Sequence, residues 1–324
     1  MSTSKPVAEH AATEPLRIGY LGPAGTFTEQ ALRTQPDLAN QTLIPMRTFV
    51  DVLSATRDGQ MDLGFVAIEN AIEGTVNVTL DTLAFDTNLL IQREVVLDIE
   101  MHLMARPGTR LEDIVTVSSH PVANAQCRSF LTAKLPDVDV RPANSTAEAA
   151  SDAAERPGVA ALGPAIAGET YGLEIVAADV ADIPDNQTRF LVVAPAGVPR
   201  QTGHDKTTVM VTAREDRPGS LVAILHEFSA RNINLSKLTS RPARTRLGNY
   251  CFIIDLYGHI ADDVVANCLR NVHAKHADVK FLGSYPAAGD GSHQVREEAS
   301  EAWEEARLWM ESLRSQIVPV EKLR

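Results

Sequence analysis

Short apolar segments alternate with polar turns and helical patterns between residues 16 and about 195. Segments of four to six residues bounded by turn residues, most of them apolar, predict strands. These segments cover residues 17–21, 63–68, 114–117, 138–141 and 159–162. Residues 91–106 alternate charged and apolar positions, which predicts one further and longer strand. Because helical patterns lie between the strands, the order predicts an α/β domain with a mainly parallel sheet.

A second pattern follows a polar, turn-rich linker at residues 197–205. Strands are predicted at residues 206–213, 233–240, 250–257 and 279–284, and helices at residues 221–230 and 262–273. The order βαββαβ is that of a ferredoxin-like domain. From residue 295, apolar side chains recur every three or four positions. This spacing predicts an amphipathic helix, docked either on its own chain or on another subunit.

The length and charge of the chain limit the kinds of protein it can be. A chain of 324 residues predicts two domains. The net charge of −12 argues against nucleic acid as a partner, and no apolar run is long enough to cross a membrane. Residues 1–15 have one lysine and no apolar segment of the kind found in secretory signals. We therefore expect a disordered leader and a cytoplasmic protein.

The three cysteines, Cys127, Cys251 and Cys268, are widely spaced and lie in apolar surroundings. Their spacing matches neither a disulfide framework nor a zinc site. We therefore expect reduced thiols within the core, which also favours the cytoplasm.

Hydroxyl side chains stand at several predicted helix starts. Thr26 with Glu29, and Ser145 with Glu148, have the spacing of a capping box, and capping alone would explain them. Helix starts that all follow strands would also bring N–H groups and hydroxyls to one side of the sheet. Such an edge suits a small anion, because helix N-termini carry partial positive charge and free donors. The pattern predicts a cleft for a small carboxylate or phosphate.

A polar run at residues 185–189 leads directly into an apolar strand at residues 190–194. It places a hydroxyl and a guanidinium, those of Thr188 and Arg189, at a strand end, where sites on open α/β sheets collect. Taken alone, the run is explained by Thr188 capping the strand and Arg189 facing water. The other polar strand ends of the chain favour a site.

In this order, the polar strand ends resemble the motifs of the prephenate dehydratase family, over residues 16 to about 284. The motifs are Gly22-Pro23-Ala24-Gly25-Thr26-Phe27-Thr28, Ile68-Glu69-Asn70 with Gly74, Ser119-His120-Pro121 with Gln126-Cys127, Ser145-Thr146-Ala147-Glu148-Ala149-Ala150, and Thr188-Arg189-Phe190. The second pattern resembles an ACT regulatory domain through Arg217-Pro218-Gly219-Ser220-Leu221 and Leu238-Thr239-Ser240-Arg241-Pro242.

Three positions depart from the residues that are usual in this family. Ala71 replaces Ser or Thr, and Val122 replaces Gln, so the rim of the expected site loses two polar contacts. Thr239 replaces Glu, which removes an acidic group from the expected effector site.

The resemblance implies a fold with definite boundaries. Residues 16–199 would form a catalytic domain like the type II periplasmic binding proteins, with two α/β lobes and a cleft between them. One lobe would contain residues 16–94 and 179–199, and the other residues 95–178. The ferredoxin-like ACT domain would follow at residues 205–285, and a C-terminal amphipathic helix and tail at residues 292–324.

The resemblance also implies a function, the decarboxylating dehydration of prephenate to phenylpyruvate in L-phenylalanine biosynthesis. It implies prephenate as substrate, no metal or other cofactor, and allosteric regulation by L-phenylalanine through the ACT domain. It further implies a homodimer or homotetramer, while the charge and the lack of a long apolar run predict no nucleic-acid or membrane partner. Two alternatives stay open, an arogenate dehydratase and a non-catalytic cytoplasmic amino-acid sensor.

Residues that match the family motifs take the expected roles. Thr188 is expected to donate a hydrogen bond to the leaving oxygen. Arg189 is expected either to hold a substrate carboxylate or to pair with an acidic residue, and Glu69 either to relay a proton or to pair with a cation. The other catalytic candidates are Asn70, Ser119 and Gln126. The substrate-binding candidates are Thr26, Phe27, Thr28, His120, Ser145, Thr146 and Phe190. The effector-binding candidates are Gly219, Ser220, Leu221, Asn234, Leu235, Ser236, Ser240 and Arg241.

Overall fold

The computed structural model describes residues 15–215, 217–244, 249–289 and 308–315. The predicted leader, apart from residue 15, and most of the predicted C-terminal segment lie outside the described residues, although residues 308–315 are helical. The chain divides into two compact units, Met1–Phe65 with Glu100–Pro184, and Val66–Ile99 with Asp185–Arg324. These units cut across the predicted lobes, whose boundaries stay a prediction.

Strands and helices follow each other in the predicted order. The elements up to residue 98 are β1 (Arg17–Leu21), α1 (Phe27–Arg33), α2 (Pro36–Ala39), β2 (Thr42–Met46), α3 (Phe49–Arg57), β3 (Leu63–Asn70), β4 (Gly74–Thr75), α4 (Asn77–Asp81), a π-helical turn (Thr82–Asp86) and β5 (Leu90–Asp98). Those up to residue 194 are β6 (His102–Ala105), a 3-10 turn (Leu111–Asp113), β7 (Thr116–Ser119), α5 (Pro121–Gln126), α6 (Arg128–Lys134), β8 (Asp139–Pro142), α7 (Thr146–Glu155), β9 (Val159–Gly163), α8 (Ala165–Tyr171), β10 (Glu174–Ala177) and β11 (Gln187–Ala194). The remaining elements are β12 (Asp205–Ala213), α9 (Ser220–Ser229), β13 (Leu235–Pro242), β14 (Tyr250–Tyr257), α10 (Asp263–Lys275) and β15 (Ala277–Pro286).

The first unit contains parallel strands covered by helices. β1 pairs in parallel with β2 and with the first residues of β3. A second sheet has the order β10-β6-β9-β7-β8, in which β7 pairs in parallel with both of its neighbours. Helix α7 lies close to this sheet because its buried face consists of the small residues Ala149, Ala150 and Ala153.

The second unit contains the rest of β3, which lies beside β11, and β11 pairs antiparallel with β5. It also contains a four-stranded antiparallel sheet with the order β13-β14-β12-β15. Helices α9 and α10 contribute Ile224, Phe228 and Val272 to the core of this sheet. The order βαββαβ and the preceding α/β region confirm the predicted fold class.

Strand β15 approaches β5 so closely that only a glycine fits at residue 283. A Cβ atom on Gly283 would lie 2.6 Å from the carbonyl oxygen of Ile91 and 2.9 Å from its nitrogen. Its φ of +144° also lies in the region that favours glycine. The ferredoxin-like sheet therefore contacts the main chain of β5 directly.

The long strand predicted at residues 91–106 is wrong, because the structure has two strands there, β5 and β6. Between β5 and β6, main-chain groups form hydrogen bonds with residues outside both strands. The N–H of Ile99 donates to the carbonyl of Asn186, and the carbonyl of Met101 accepts from Val180. These hydrogen bonds to residues far away in sequence end the pairing of β5 and precede the start of β6.

The three cysteines are free and buried, as the sequence predicts. Burial raises the pKa of Cys127 and of Cys268 to about 12, and burial also raises the pKa of Cys251. At pH 8 a thiol with a pKa of about 12 is ionised to roughly one part in 10⁴.

We expect a thiol reagent such as Ellman's reagent to leave Cys127, Cys251 and Cys268 unmodified over minutes in the folded protein. All three should react at once after denaturation, because unfolding removes the burial that suppresses the thiolate. A cysteine that reacts in the folded protein as fast as a free thiol would contradict this environment.

Candidate active site

A hydrogen bond joins the end of β3 to the start of β11, at the polar run singled out in the sequence. Asn70 Nδ2 donates to Thr188 Oγ1 over 2.8 Å. It also lies 3.0 Å from Asn186 Oδ1 and 3.3 Å from the carbonyl oxygen of Gln187. The structure therefore brings two of the predicted catalytic residues together.

The orientation of the Asn70 amide is fixed by the loop that follows it. Its Oδ1 accepts from the N–H groups of Ile72 and Glu73, each over 3.0 Å. Since the oxygen is held on that side, the NH₂ group must point towards Thr188. The Thr188 hydroxyl then acts as acceptor for Asn70, which leaves its own O–H as a donor.

Arg189 points to the opposite face of β11 and is held by two carboxylates. Its Nε lies 2.6 Å from Glu94 Oε2, and its Nη1 lies 2.5 Å from Asp255 Oδ2. Its Nη2 donates to the hydroxyl of Tyr285 over 2.9 Å. Of the two roles left open for Arg189, the described contacts are those of pairing with acidic residues.

The group around Arg189 is deeply buried. The side chains of Glu94 and Asp255 are 1% and 5% exposed, and that of Arg189 is 13% exposed. Burial alone would lower the pKa of Arg189, but Tyr285, Asp255 and Glu94 outweigh it and raise that pKa well above the ordinary value. Burial, and then Asp255, raises the pKa of the Tyr285 hydroxyl, so this hydroxyl stays protonated. The guanidinium therefore stays charged at every pH at which the protein would be assayed.

Glu69 forms an ion pair with Lys237 of β13, with 3.0 Å between Oε2 and Nζ. The same oxygen lies 3.8 Å from Arg189 Nη1. The Glu69 side chain is 37% exposed, so solvent screens this pair more than the pairs of Arg189. The described contacts are those of a partner for cations, one of the two roles predicted for Glu69.

In the first unit, Thr26 caps α1 as the sequence predicts, but Glu29 bonds back to the residue before the cap and not to the cap itself, so the capping box is only half formed. Thr26 Oγ1 accepts from the N–H of Glu29, and Glu29 Oε2 accepts from the N–H of Gly25 over 2.8 Å. The hydroxyl of Tyr171 donates to the carbonyl of Ala24 over 3.0 Å. A Cβ atom on Gly25, whose φ is +86°, would lie 3.1 Å from the Tyr171 ring. The loop that carries the first motif is thus held at several points.

The other candidates of this unit lie at strand ends and helix starts. Ser119 ends β7, is fully buried, and donates from Oγ to the carbonyl of Leu162 over 2.6 Å. His120 is the N-cap of α5, and Gln126 is the last residue of that helix. Ser145 caps α7 by accepting from the N–H of Glu148 over 2.9 Å. The other three first-unit candidates lie in the first turns of α1 and α7: Phe27, Thr28 and Thr146.

The effector candidates lie at the start of α9 and along β13. Gly219 is the N-cap of α9 with a φ of +92°, and Ser220 donates to the carbonyl of Glu215. Arg241 pairs through Nη2 with Asp81 Oδ2 at 2.5 Å, and it also contacts Asn77 of α4. The other effector candidates lie beside these: Leu221, Asn234, Leu235, Ser236 and Ser240.

Several residues of this region escaped the sequence analysis. Asn186, Glu94, Lys237, Asp255 and Tyr285 are all close to Asn70, Thr188 or their neighbours. Asp255 carried a usable signal, because it is a carboxylate within an otherwise apolar strand. A charged residue at such a position is seldom buried without a partner.

Among the described residues, no group of three or more His, Cys, Asp or Glu side chains is placed to hold a metal ion. None of the helices described here is long and apolar enough to cross a membrane.

Comparison with known proteins gives consistent matches over nearly the whole chain. Residues 18–197 match the family model described as prephenate dehydratase, and residues 207–274 match the ACT domain model. The prephenate dehydratase of Mycolicibacterium vanbaalenii is 43% identical over 311 residues, which cover 92% of this chain and 98% of the relative.

Solved structures agree with these matches. The prephenate dehydratase of Arthrobacter aurescens in complex with L-Phe is 40% identical, with a TM-score of 0.78, covering 93% of this chain and 100% of the other. A second structure, GqqA, described as a novel type of quorum quenching acylase, is 28% identical with a TM-score of 0.74 and covers 84% and 98%.

Proposed function

Since the chain belongs to the prephenate dehydratase family, we propose that it converts prephenate to phenylpyruvate and that L-phenylalanine regulates it through the ACT domain. The dehydratases of Mycolicibacterium vanbaalenii and Arthrobacter aurescens match at higher identity and over more of the chain than the acylase neighbour does. The L-Phe complex of the relative from Arthrobacter aurescens supports the choice of effector.

The reaction needs a hydrogen-bond donor at one oxygen atom. The bond between the ring and its carboxylate breaks, CO₂ leaves, and the electron pair enters the ring. The bond between the ring and its hydroxyl group breaks at the same time, and the departing hydroxide takes up a proton from solvent and leaves as water. Because the ring becomes aromatic, the protein mainly has to orient the dianion and stabilise the charge on the leaving oxygen.

One observation supports Thr188 as that donor. Asn70 donates to the Thr188 hydroxyl, and the loop after Asn70 prevents the amide from turning round. The O–H of Thr188 is therefore oriented to donate away from Asn70. A hydroxyl held in this way stabilises a departing oxygen by hydrogen bonding, and it needs no shifted pKa to do so.

The other candidates take supporting roles in this proposal. Ser119, His120, Gln126 and the hydroxyls at the starts of α1 and α7 are the first unit's candidates for hydrogen bonds to the substrate. Phe190 packs beneath the site. Effector binding belongs to the start of α9 and to β13, in an ACT domain that assembles with a second copy of the chain as a homodimer or homotetramer. A biosynthetic enzyme of this kind belongs in the cytoplasm.

Incubation of the purified protein with prephenate should produce phenylpyruvate, measured by its absorbance in alkali, and L-phenylalanine should change the rate. The matched control is arogenate under the same conditions, with phenylalanine as the product. Turnover of arogenate alone would overturn the choice of substrate. No turnover of either substrate by a folded protein that still binds phenylalanine would favour the amino-acid sensor.

A further inference from the structure

Two dipeptides meet at the proposed active site, and each has one residue on either face of the sheet. Glu69 and Asn70 end β3, while Thr188 and Arg189 stand near the start of β11. Successive side chains of a strand point to opposite faces. Asn70 and Thr188 are hydrogen-bonded to each other on one face, and Glu69 and Arg189 lie on the other.

Glu69 and Arg189, on the second face, both form ion pairs with the four-stranded sheet β13-β14-β12-β15, called here the ACT sheet. Lys237 of β13 pairs with Glu69 at 3.0 Å, and Asp255 of β14 pairs with Arg189 at 2.5 Å. Lys237 and Asp255 are themselves cross-strand neighbours in the register of β13 and β14. One small patch of the ACT sheet therefore holds the residue next to Asn70 and the residue next to Thr188.

The Asp255–Arg189 contact is held more rigidly than the Lys237–Glu69 contact. Asp255 is fixed by a second acceptor contact, because Thr208 donates to its Oδ1 over 2.7 Å, and Tyr285 lies 2.7 Å from the Thr208 hydroxyl. The pair with Arg189 is almost fully buried. The Lys237–Glu69 pair is the more adjustable one, because Glu69 is partly exposed and β13 is the edge strand of its sheet.

From this arrangement we propose that Lys237 and Asp255 are positioning residues for the dehydration, and that a ligand at β13 changes catalysis by shifting Lys237. The inference rests on the proposed function. Ser236, an effector candidate, precedes Lys237 directly, so a ligand that moves Ser236 moves the strand that carries Lys237. Glu69 then moves with Lys237, and Asn70 no longer orients the Thr188 hydroxyl.

A different lysine offers a matched control. Lys280 of β15 also reaches from the ACT sheet to the preceding region, where its Nζ donates to the carbonyls of Leu83, Ala84 and Thr87. This contact holds the π-helical turn and touches neither dipeptide of the proposed site. Replacing either lysine by methionine removes a charge at the same junction and leaves an unbranched side chain that is one atom shorter.

The test compares K237M with K280M for kcat, KM, inhibition by phenylalanine and phenylalanine binding by calorimetry. We expect K237M to lower kcat about tenfold with KM for prephenate nearly unchanged, since the Asn70–Thr188 pair acts in the transition state. It should still bind phenylalanine, yet the effect of phenylalanine on the rate should fall at least fivefold. K280M should keep the response of the unmodified protein.

Two further variants identify the contacts. If the ion pair carries the effect, adding E69Q to K237M should lower kcat no further than either change alone. D255N keeps the shape of Asp255 and should also lower kcat more than KM. Wild-type kcat and phenylalanine response in K237M, or equal losses in K280M, would overturn this inference and leave the proposed function standing. No turnover of prephenate by the unmodified protein would overturn the proposed function, and this inference with it.

Discussion

Replacing Thr188 by valine should lower kcat on the order of 10²-fold or more, with little change in KM for prephenate. Valine has nearly the shape of threonine but cannot donate a hydrogen bond, so the variant tests the hydroxyl and not the packing. The leaving oxygen would lose its donor in the transition state, while the contacts that bind the substrate carboxylates would remain. Steady-state kinetics of phenylpyruvate formation measure both constants.

Serine at position 188 is the matched control, because it keeps the hydroxyl that accepts from Asn70. T188S should retain most of the activity, and N70A should lose part of it because the hydroxyl is then free to turn. A folded T188V variant with a kcat close to that of the unmodified protein would show that the donor is another group.

The largest effect on stability is expected from Arg189. Replacing it by methionine leaves Glu94 and Asp255 as buried carboxylates that have lost a partner. Breaking a buried charge pair from one side costs about 3–5 kcal/mol, because the remaining charge has no water to solvate it. We expect a clearly lower thermal midpoint, measured by circular dichroism, together with reduced activity.

An exposed arginine in the first unit provides the comparison. Arg57 pairs with Asp58, but both side chains are nearly half exposed, so R57M should leave the thermal midpoint almost unchanged. Combining R189M with E94Q and D255N should recover part of the lost stability, because the unpaired charges are removed. Equal thermal midpoints for R189M and R57M would mean that the buried group contributes no net stability.

Local patterns in the sequence predicted the elements well. Strand β14 lies at the predicted residues, and Thr26 and Ser145 cap their helices as their spacing to Glu29 and Glu148 indicated. Such features depend on residues within four positions of each other, so a sequence displays them directly. The break between β5 and β6 could not be predicted, because hydrogen bonds to Asn186 and Val180 cause it.

The candidate site shows the same difference between local features, which the sequence displays, and long-range contacts, which it does not. The sequence places Asn70 and Thr188 at strand ends, but their separation of 118 positions hides their hydrogen bond, and only the family resemblance linked them. Arg189 could be predicted either to hold substrate or to pair with an acid, since its partners Glu94 and Asp255 lie 95 and 66 positions away. Long-range pairing of charges is a property of the folded chain, and no local pattern records it.

The close approach of Gly283 to Ile91 limits how this protein could be recombined with others. A catalytic fragment cut at the linker would expose the main chain of β5 and would leave the charges of Glu94 and Arg189 without Lys206, Asp255 and Tyr285. An ACT domain transplanted from another enzyme would have to bring a glycine at the position of contact and the same set of charged partners. The catalytic region and the ACT domain are therefore separate in sequence, but a change on one side of their contact requires a matching change on the other. Chimaeric proteins should take both sides of this contact from the same parent.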